Sequence, residues 1–125
     1  MPPRILYAED HDDTRTMISL LLRRAGYDVA EAASAAEALE MAASSRFDLY
    51  LLDHAFPDSS GVELCRRLRA AHPGAPILFY TGRAMAAERE EAMRAGAQEY
   101  MVKPHDTFNI IGQVDKWLRR ASGES

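Results

Sequence analysis

A single cysteine, Cys65, excludes an internal disulfide and fits a reducing compartment. No apolar run is long enough to cross a bilayer, and Met1-Pro2-Pro3-Arg4 opens no apolar signal segment. Basic charge is in deficit: 15 Lys and Arg stand against 19 Asp and Glu, a net charge of −4. Nothing therefore draws the chain to nucleic-acid phosphates. The four histidines, His11, His54, His72 and His105, share no metal-ligand spacing, and surface positions are expected for them. There is no internal repeat or linker. These absences leave a soluble cytoplasmic domain with no membrane or nucleic-acid partner as the expectation. At 125 residues it can bury a core without disulfides or a structural metal.

What the chain does have is five apolar runs, each closed by a turn or a polar residue. Ile5-Leu6-Tyr7-Ala8 stops at Glu9-Asp10, and Phe47 to Leu52 stops at Asp53. Pro76 to Tyr80 stops at Thr81, and Glu99 to Val102 stops at Lys103-Pro104. Tyr27 to Ala32 is more polar and suits a sheet edge. Helical stretches alternate with these runs. The first is expected over Thr14 to Ala25, capped by Asp12 or Asp13, with Met17, Leu20, Leu21 and Leu22 buried and Gly26 as a left-handed stop. Ser34-Ala35-Ala36-Glu37 and Ser60-Gly61-Val62-Glu63 read as capping boxes for the second and third. Ala84 to Ala95 forms the fourth. Asp106 is placed to cap the fifth, whose core stripe is Ile110, Val114, Trp117 and Leu118. Strand and helix in alternation predict a doubly wound α/β domain with a parallel sheet and helices on both faces.

In such a sheet the carboxyl ends of the central strands share one rim. Glu9, Asp10, Asp53, Thr81 and Lys103 would then meet, although they are spread along the chain. Clustered carboxylates raise one another's pKa unless a cation intervenes. Mg²⁺ takes one or two protein carboxylates with waters and a phosphate, and it is the metal expected here. A carboxylate nucleophile, a cation and a mobile ammonium form a phosphoryl-transfer set. Asp53 would attack phosphorus, Lys103 would neutralise the phosphoryl oxygens, and the Thr81 hydroxyl would donate to one of them.

With those residues in place, the chain resembles the receiver domain of bacterial two-component response regulators over nearly its whole length. The motifs that carry the likeness are Ile5 to Asp10, Asp53 with Pro57 and Gly61 behind it, Thr81-Gly82, Ala95-Gly96-Ala97, and Tyr100 to Pro104. The resemblance implies a five-stranded flavodoxin-like sheet of order 2-1-3-4-5, with residues 1–121 as the receiver and 122–125 as a polar tail. It implies phosphorylation of Asp53 by a histidine kinase or histidine phosphotransfer protein. Glu9 and Asp10 would hold Mg²⁺ with Asp53 and the main-chain carbonyl of Ala55, and Lys103-Pro104 would be cis. Tyr100 would act with Thr81 as a switch that alters the surface of helix 4, strand 5 and helix 5 toward an unknown output protein. The chain would be a monomer or a phosphorylation-dependent dimer, and a single-domain switch rather than an enzyme. Thr14, Arg15 and Ile18 on the first helix would select the kinase.

Rival readings stay beside this one. An interaction module that never carries phosphate would share every motif. A small phosphatase of the same architecture is disfavoured because Asp53-His54-Ala55 lacks a second acid, and a flavin binder because no Gly-rich loop follows the first strand. Cys65 is expected in the core, and Arg66, Arg67 and Arg69 on a solvated face. Phe108, Ile111 and Trp117 exceed one buried stripe, and extra core packing is the expectation for them.

Overall fold

The computed structural model describes residues 1–123. Of the tail expected at 122–125, residues 124 and 125 lie outside the described residues. Strands β1 (Arg4–Ala8), β2 (Asp28–Ala32), β3 (Leu49–Leu52), β4 (Ile77–Thr81) and β5 (Glu99–Val102) alternate with α1 (Asp12–Arg24), α2 (Ala35–Ser44), α3 (Gly61–Ala71), α4 (Ala86–Arg94) and α5 (Ile110–Ala121). A short 3₁₀ turn, Thr107–Asn109, precedes α5. The strands pair in parallel in the order β2-β1-β3-β4-β5. This is the sheet the alternation predicts, with the polar strand β2 at an edge.

Side-chain alternation along each strand divides the core between the two sheet faces. Leu6, Ala8, Tyr50, Leu52, Ile77, Phe79 and Tyr100 pack on α2, α3 and α4. Ile5, Tyr7, Leu49, Leu51, Leu78, Tyr80 and Met101 pack on Ile18 and Leu22 of α1 and Ile110 and Val114 of α5. Every residue of β3 is buried, because helices cover it on both sides.

Local chemistry sets the ends. Ser34 and Ser60 accept from the main-chain N–H of Glu37 and Glu63, each at 3.1 Å. The Asp58 carboxylate adds a second cap to α2, accepting from Ala35 N at 3.1 Å and Ala36 N at 2.9 Å. These two N–H donors hold Asp58 below the usual carboxylate range. Gly26 and Gly96 take φ of +99° and +116°, where a side chain would be strained. The Lys103-Pro104 bond is cis, as the resemblance implied.

Several expectations are corrected. The cap of α1 is His11, whose Nδ1 accepts from Thr14 N at 3.3 Å, rather than Asp12 or Asp13. The buried stripe of α1 is Ile18, Ser19 and Leu22, while Met17, Leu20 and Leu21 are exposed. That helix carries apolar residues on more than one face, and packing selects only one of them. Asp106 precedes the 3₁₀ turn and makes no side-chain cap there; its carboxylate accepts from Val102 N at 2.8 Å instead. In α5, Ile110 and Val114 are buried, with Ile111, Trp117 and Leu118 half-buried against the same core. Phe108 is 97% exposed, so it is not core packing. His54 is buried, not superficial.

Arg69 is no part of a solvated face. Its guanidinium donates to the carbonyls of His72 (3.4 Å), Pro73 (3.0 Å), Ala75 (2.6 Å) and Gly96 (2.6 Å) and to Gln98 Oε1 (2.9 Å). One side chain thus ties the end of α3 to the loops before β4 and β5. Arg69→Ala is expected to cost about 3 kcal/mol in urea unfolding, since several carbonyls lose a charged donor at once. Arg69→Lys should recover less than half of that loss, because an ammonium cannot reproduce the planar fork.

Candidate functional site

The carboxyl ends of β1, β3 and β5 open into a cleft lined by Glu9, Asp10, Asp53, Gly82, Lys103 and residues 11–14 at the start of α1. Glu9 follows β1 and its N–H still bonds Ala32 O at 3.0 Å, so it behaves as one more strand residue with its side chain fully buried. Asp53 extends β3 in the same way through a 3.0 Å bond from its N–H to Ala8 O. One oxygen from each of Glu9, Asp10 and Asp53 lies within 4.8 Å of the others. The Lys103 ammonium closes the group, bonding Glu9 Oε1 tightly and reaching Asp53 Oδ2 at 3.4 Å. Four of the five expected strand-end residues therefore meet, and Asp10 is the exposed one among them.

The charges are coupled. Burial pushes the Glu9 carboxyl up to about 7, Asp53 adds to that rise, and Lys103 opposes it. For Lys103, burial works against the charged form, but the Glu9 and Asp53 carboxylates win and hold its pKa above the ordinary value. An ammonium here does what a bound cation would do, neutralising two buried carboxylates. Three clustered carboxylate oxygens are hard donors and fit a magnesium-type ion better than a soft one.

A pH dependence follows from Glu9. Its folded pKa, about 7, lies above its ordinary 4.5, so folding favours the protonated form. That contribution is whole below the ordinary value and is lost as pH rises through the folded one. Metal-free protein is expected to lose on the order of 2 kcal/mol of unfolding free energy between about pH 4.5 and 7 from this group. Urea titrations in chelator should show the slope, and Glu9→Gln should flatten it. Added Mg²⁺ should help most at the alkaline end, where Glu9 is ionised.

Thr81 and Ala55 lie outside the cleft lining. Thr81 is buried, and its Oγ1 accepts from Arg83 N at 3.3 Å. Tyr100 is buried with its hydroxyl donating to Arg83 O at 2.8 Å, so the main chain of Arg83 joins the two expected switch residues. The Tyr100 ring stacks on Phe79 at 5.6 Å and meets the edge of His54 at 6.3 Å. Ala55 sits in a loop pinned by Gly61 N to His54 O at 2.6 Å and Phe56 N to Ser59 O at 3.0 Å.

Sequence reasoning missed Arg15 as a support of the site. Its guanidinium donates to Glu9 O at 2.8 Å and pairs with Asp12 at 2.7 Å and Glu31 at 3.4 Å. An arginine six residues after Glu9 gives no sign of this until the helix turns it back.

Comparison with known proteins now decides the family. A model of the response regulator receiver domain matches residues 5–115. The chain belongs to that family. Response regulator MprA of Mycobacterium sp. (strain KMS) is 36% identical over 122 residues, 98% of this chain and 53% of that protein. The transcriptional regulatory protein ResD of Bacillus subtilis (strain 168) is 33% identical over 122 residues, 98% of this chain and 50% of that protein. This receiver domain thus spans about half the length of the curated relatives it matches. Among solved structures, a CheY-like receiver domain protein from Methanospirillum hungatei JF-1 superposes with a TM-score of 0.94 at 28% identity, covering 100% of both chains. TrrA from Thermotoga maritima, solved in complex with Mg²⁺-BeF, gives 0.83 at 30% identity over 92% of this chain and 98% of that one. Receiver domains are signalling switches rather than turnover enzymes. No helix among the described residues is long and apolar enough to cross a membrane.

Proposed function

We propose that residues 1–121 form a phosphorylation-controlled switch in which Asp53 accepts a phosphoryl group from a histidine kinase or histidine phosphotransfer protein. The observation that carries this reading is the juxtaposition of a carboxylate triad with one ammonium at the sheet rim. An Asp53 carboxylate oxygen forms a bond to phosphorus while the donor's phosphorus–nitrogen bond breaks. The donor imidazole keeps that electron pair and takes a proton from water. Lys103 leaves its carboxylate partners for the phosphoryl oxygens, and Thr81 donates its hydroxyl to one of them.

Glu9, Asp10, Asp53 and the Ala55 carbonyl are the atoms that would hold Mg²⁺, which when bound neutralises charge on both the carboxylates and the phosphoryl group. Movement of the Thr81 side chain toward the phosphoryl group would pull on the bond that its Oγ1 accepts from Arg83 N, and Arg83 O is the acceptor for Tyr100. The rearrangement would thereby reach α4, β5 and α5, and exposed Met85 just before α4 and Phe108 in the 3₁₀ turn before α5 offer apolar contact to an output partner or a second copy.

Kinase selection needs revision. Ile18 is fully buried, Arg15 is committed to Glu9, Asp12 and Glu31, and the half-buried Thr14 has its hydroxyl bonded to His11 Nδ1 at 2.9 Å, so none of the three residues expected is free to serve. The exposed Met17, Leu20 and Leu21 of α1 replace them as the docking face.

The test is incubation with Mg²⁺ and a small acyl phosphate, followed by intact mass and reductive trapping with borohydride. A gain of one phosphoryl group, mapped to Asp53, is expected. Folded protein that gains nothing would leave an interaction module without phosphate as the better reading.

A further inference from the structure

Tyr80 stands in β4 immediately before Thr81, buried on the face covered by α1 and α5. It makes two contacts that strand packing alone does not require. Its hydroxyl lies 2.6 Å from the hydroxyl of Thr107, which opens the 3₁₀ turn before α5. The Lys103 ammonium lies over its ring, 5.5 Å from the centroid and within cation–π range. One side chain thus touches Lys103 at one end of the β5–α5 loop and Thr107 at the other. Phenylalanine would supply the same ring. What the hydroxyl adds is the tie to Thr107, since burying it is unfavourable unless that bond is made.

Lys103 needs such a guide. Its main-chain N–H bonds Thr81 O at 2.8 Å, which fixes where the side chain leaves β5. The direction of its flexible four-carbon stem is not fixed by that bond. The ammonium bonds Glu9 Oε1 and stands 3.4 Å from Asp53 Oδ2, so a phosphoryl group built on Asp53 is a short shift away. We propose that Tyr80 is a positioning residue for Lys103: its ring, locked by Thr107, bounds the ammonium and keeps it within reach of both the carboxylates and a phosphoryl group on Asp53. Tyr80 acts through Lys103 alone. The inference rests on the phospho-acceptor reading for its consequence in phosphoryl binding, but not for the contact with Lys103.

Two measurements on the full chain separate these. The first is a mutant cycle in metal-free urea unfolding. Tyr80→Leu, compared with Tyr80→Phe, removes the ring face, and should raise the unfolding constant about fivefold more with Lys103 present than in Lys103→Ala. Equal effects in the two backgrounds would overturn the proposal. The second titrates beryllofluoride, a phosphoryl mimic, in saturating Mg²⁺, with variants that keep ring and volume. Tyr80→Phe and Thr107→Val should each weaken its binding by about threefold, and the two together no more than either alone. The affinity for Mg²⁺ by itself should change by less than about twofold, because Tyr80 acts on the ammonium and not on the carboxylates. Unchanged beryllofluoride affinity in both variants, or Mg²⁺ affinity falling in step with it, would overturn the proposal. Failure of the unaltered protein to bind beryllofluoride would count against the phospho-acceptor reading. The unfolding cycle, which uses neither metal nor phosphate, would still decide whether Tyr80 holds Lys103.

Discussion

Asp53→Asn is expected to abolish the phosphoryl gain from an acyl phosphate, lowering the rate by about a thousandfold or more, to the limit of detection by intact mass. An amide oxygen carries no formal charge and is a poor nucleophile, so no amount of positioning restores the attack. The neighbours cannot take over. Glu9 is fully buried and held by Lys103, and Asp10 stands on the exposed side of the cluster. The fold should survive, because the bond from His54 N to Asp53 Oδ1, 2.7 Å, needs only a carbonyl-type acceptor, which Asn keeps. What changes is the charge balance. Asp53 is one of the causes that raise Glu9, so the Glu9 carboxyl should ionise at lower pH in the variant. Lys103 would then pair with Glu9 alone, and Mg²⁺ affinity should fall by about tenfold or more with one carboxylate gone. A variant that still gained a phosphoryl group would move the acceptor to another side chain and sink the assignment.

The strand ends of this site were legible in the sequence because each is a polar residue closing an apolar run. That pattern survives any uncertainty of one or two residues in the boundaries. Glu9 shows it well: its N–H extends the ladder past β1, and the apolar run before it announced as much. Sheet order needed the resemblance, since alternation alone does not say which strands are neighbours. Residues whose role depends on where a helix points them were not legible. Met17, Leu20 and Leu21 looked like core by composition, yet α1 has one inward stripe and Ile18 and Leu22 occupy it. Arg69 read as surface charge because its acceptors, the carbonyls of Ala75 and Gly96 among them, carry no side-chain signature. His54 read as a surface residue, but the loop bends back at Ser60 and presses its ring against Phe79 and Tyr100. In each case the missing information was tertiary: which groups far apart in sequence the folded chain brings together.

Gly61→Ala is expected to be the most damaging small substitution in the chain. A Cβ at position 61 would stand 2.0 Å from the Asp53 carbonyl oxygen, 2.8 Å from His54 Cα and 2.9 Å from a Phe79 ring carbon. Two of these are main-chain atoms of the acceptor segment, which cannot swing aside as a long side chain would. The same contact region holds the 2.6 Å bond from Gly61 N to His54 O, so retreat of α3 would break it. A loss of about 3–5 kcal/mol is expected, or roughly 10–20 °C in melting temperature. The effect should extend to chemistry. Protein that still folds must move either the start of α3 or the Asp53 peptide, and a displacement of about 1 Å at a reacting group can cost on the order of a hundredfold in rate. Gly74→Ala is the matched control, since a Cβ there meets nothing within 4 Å. It should change stability by no more than about 0.5 kcal/mol. Calorimetry on the pair decides the matter: similar melting of Gly61→Ala and Gly74→Ala would mean that α3 is not wedged against the acceptor strand.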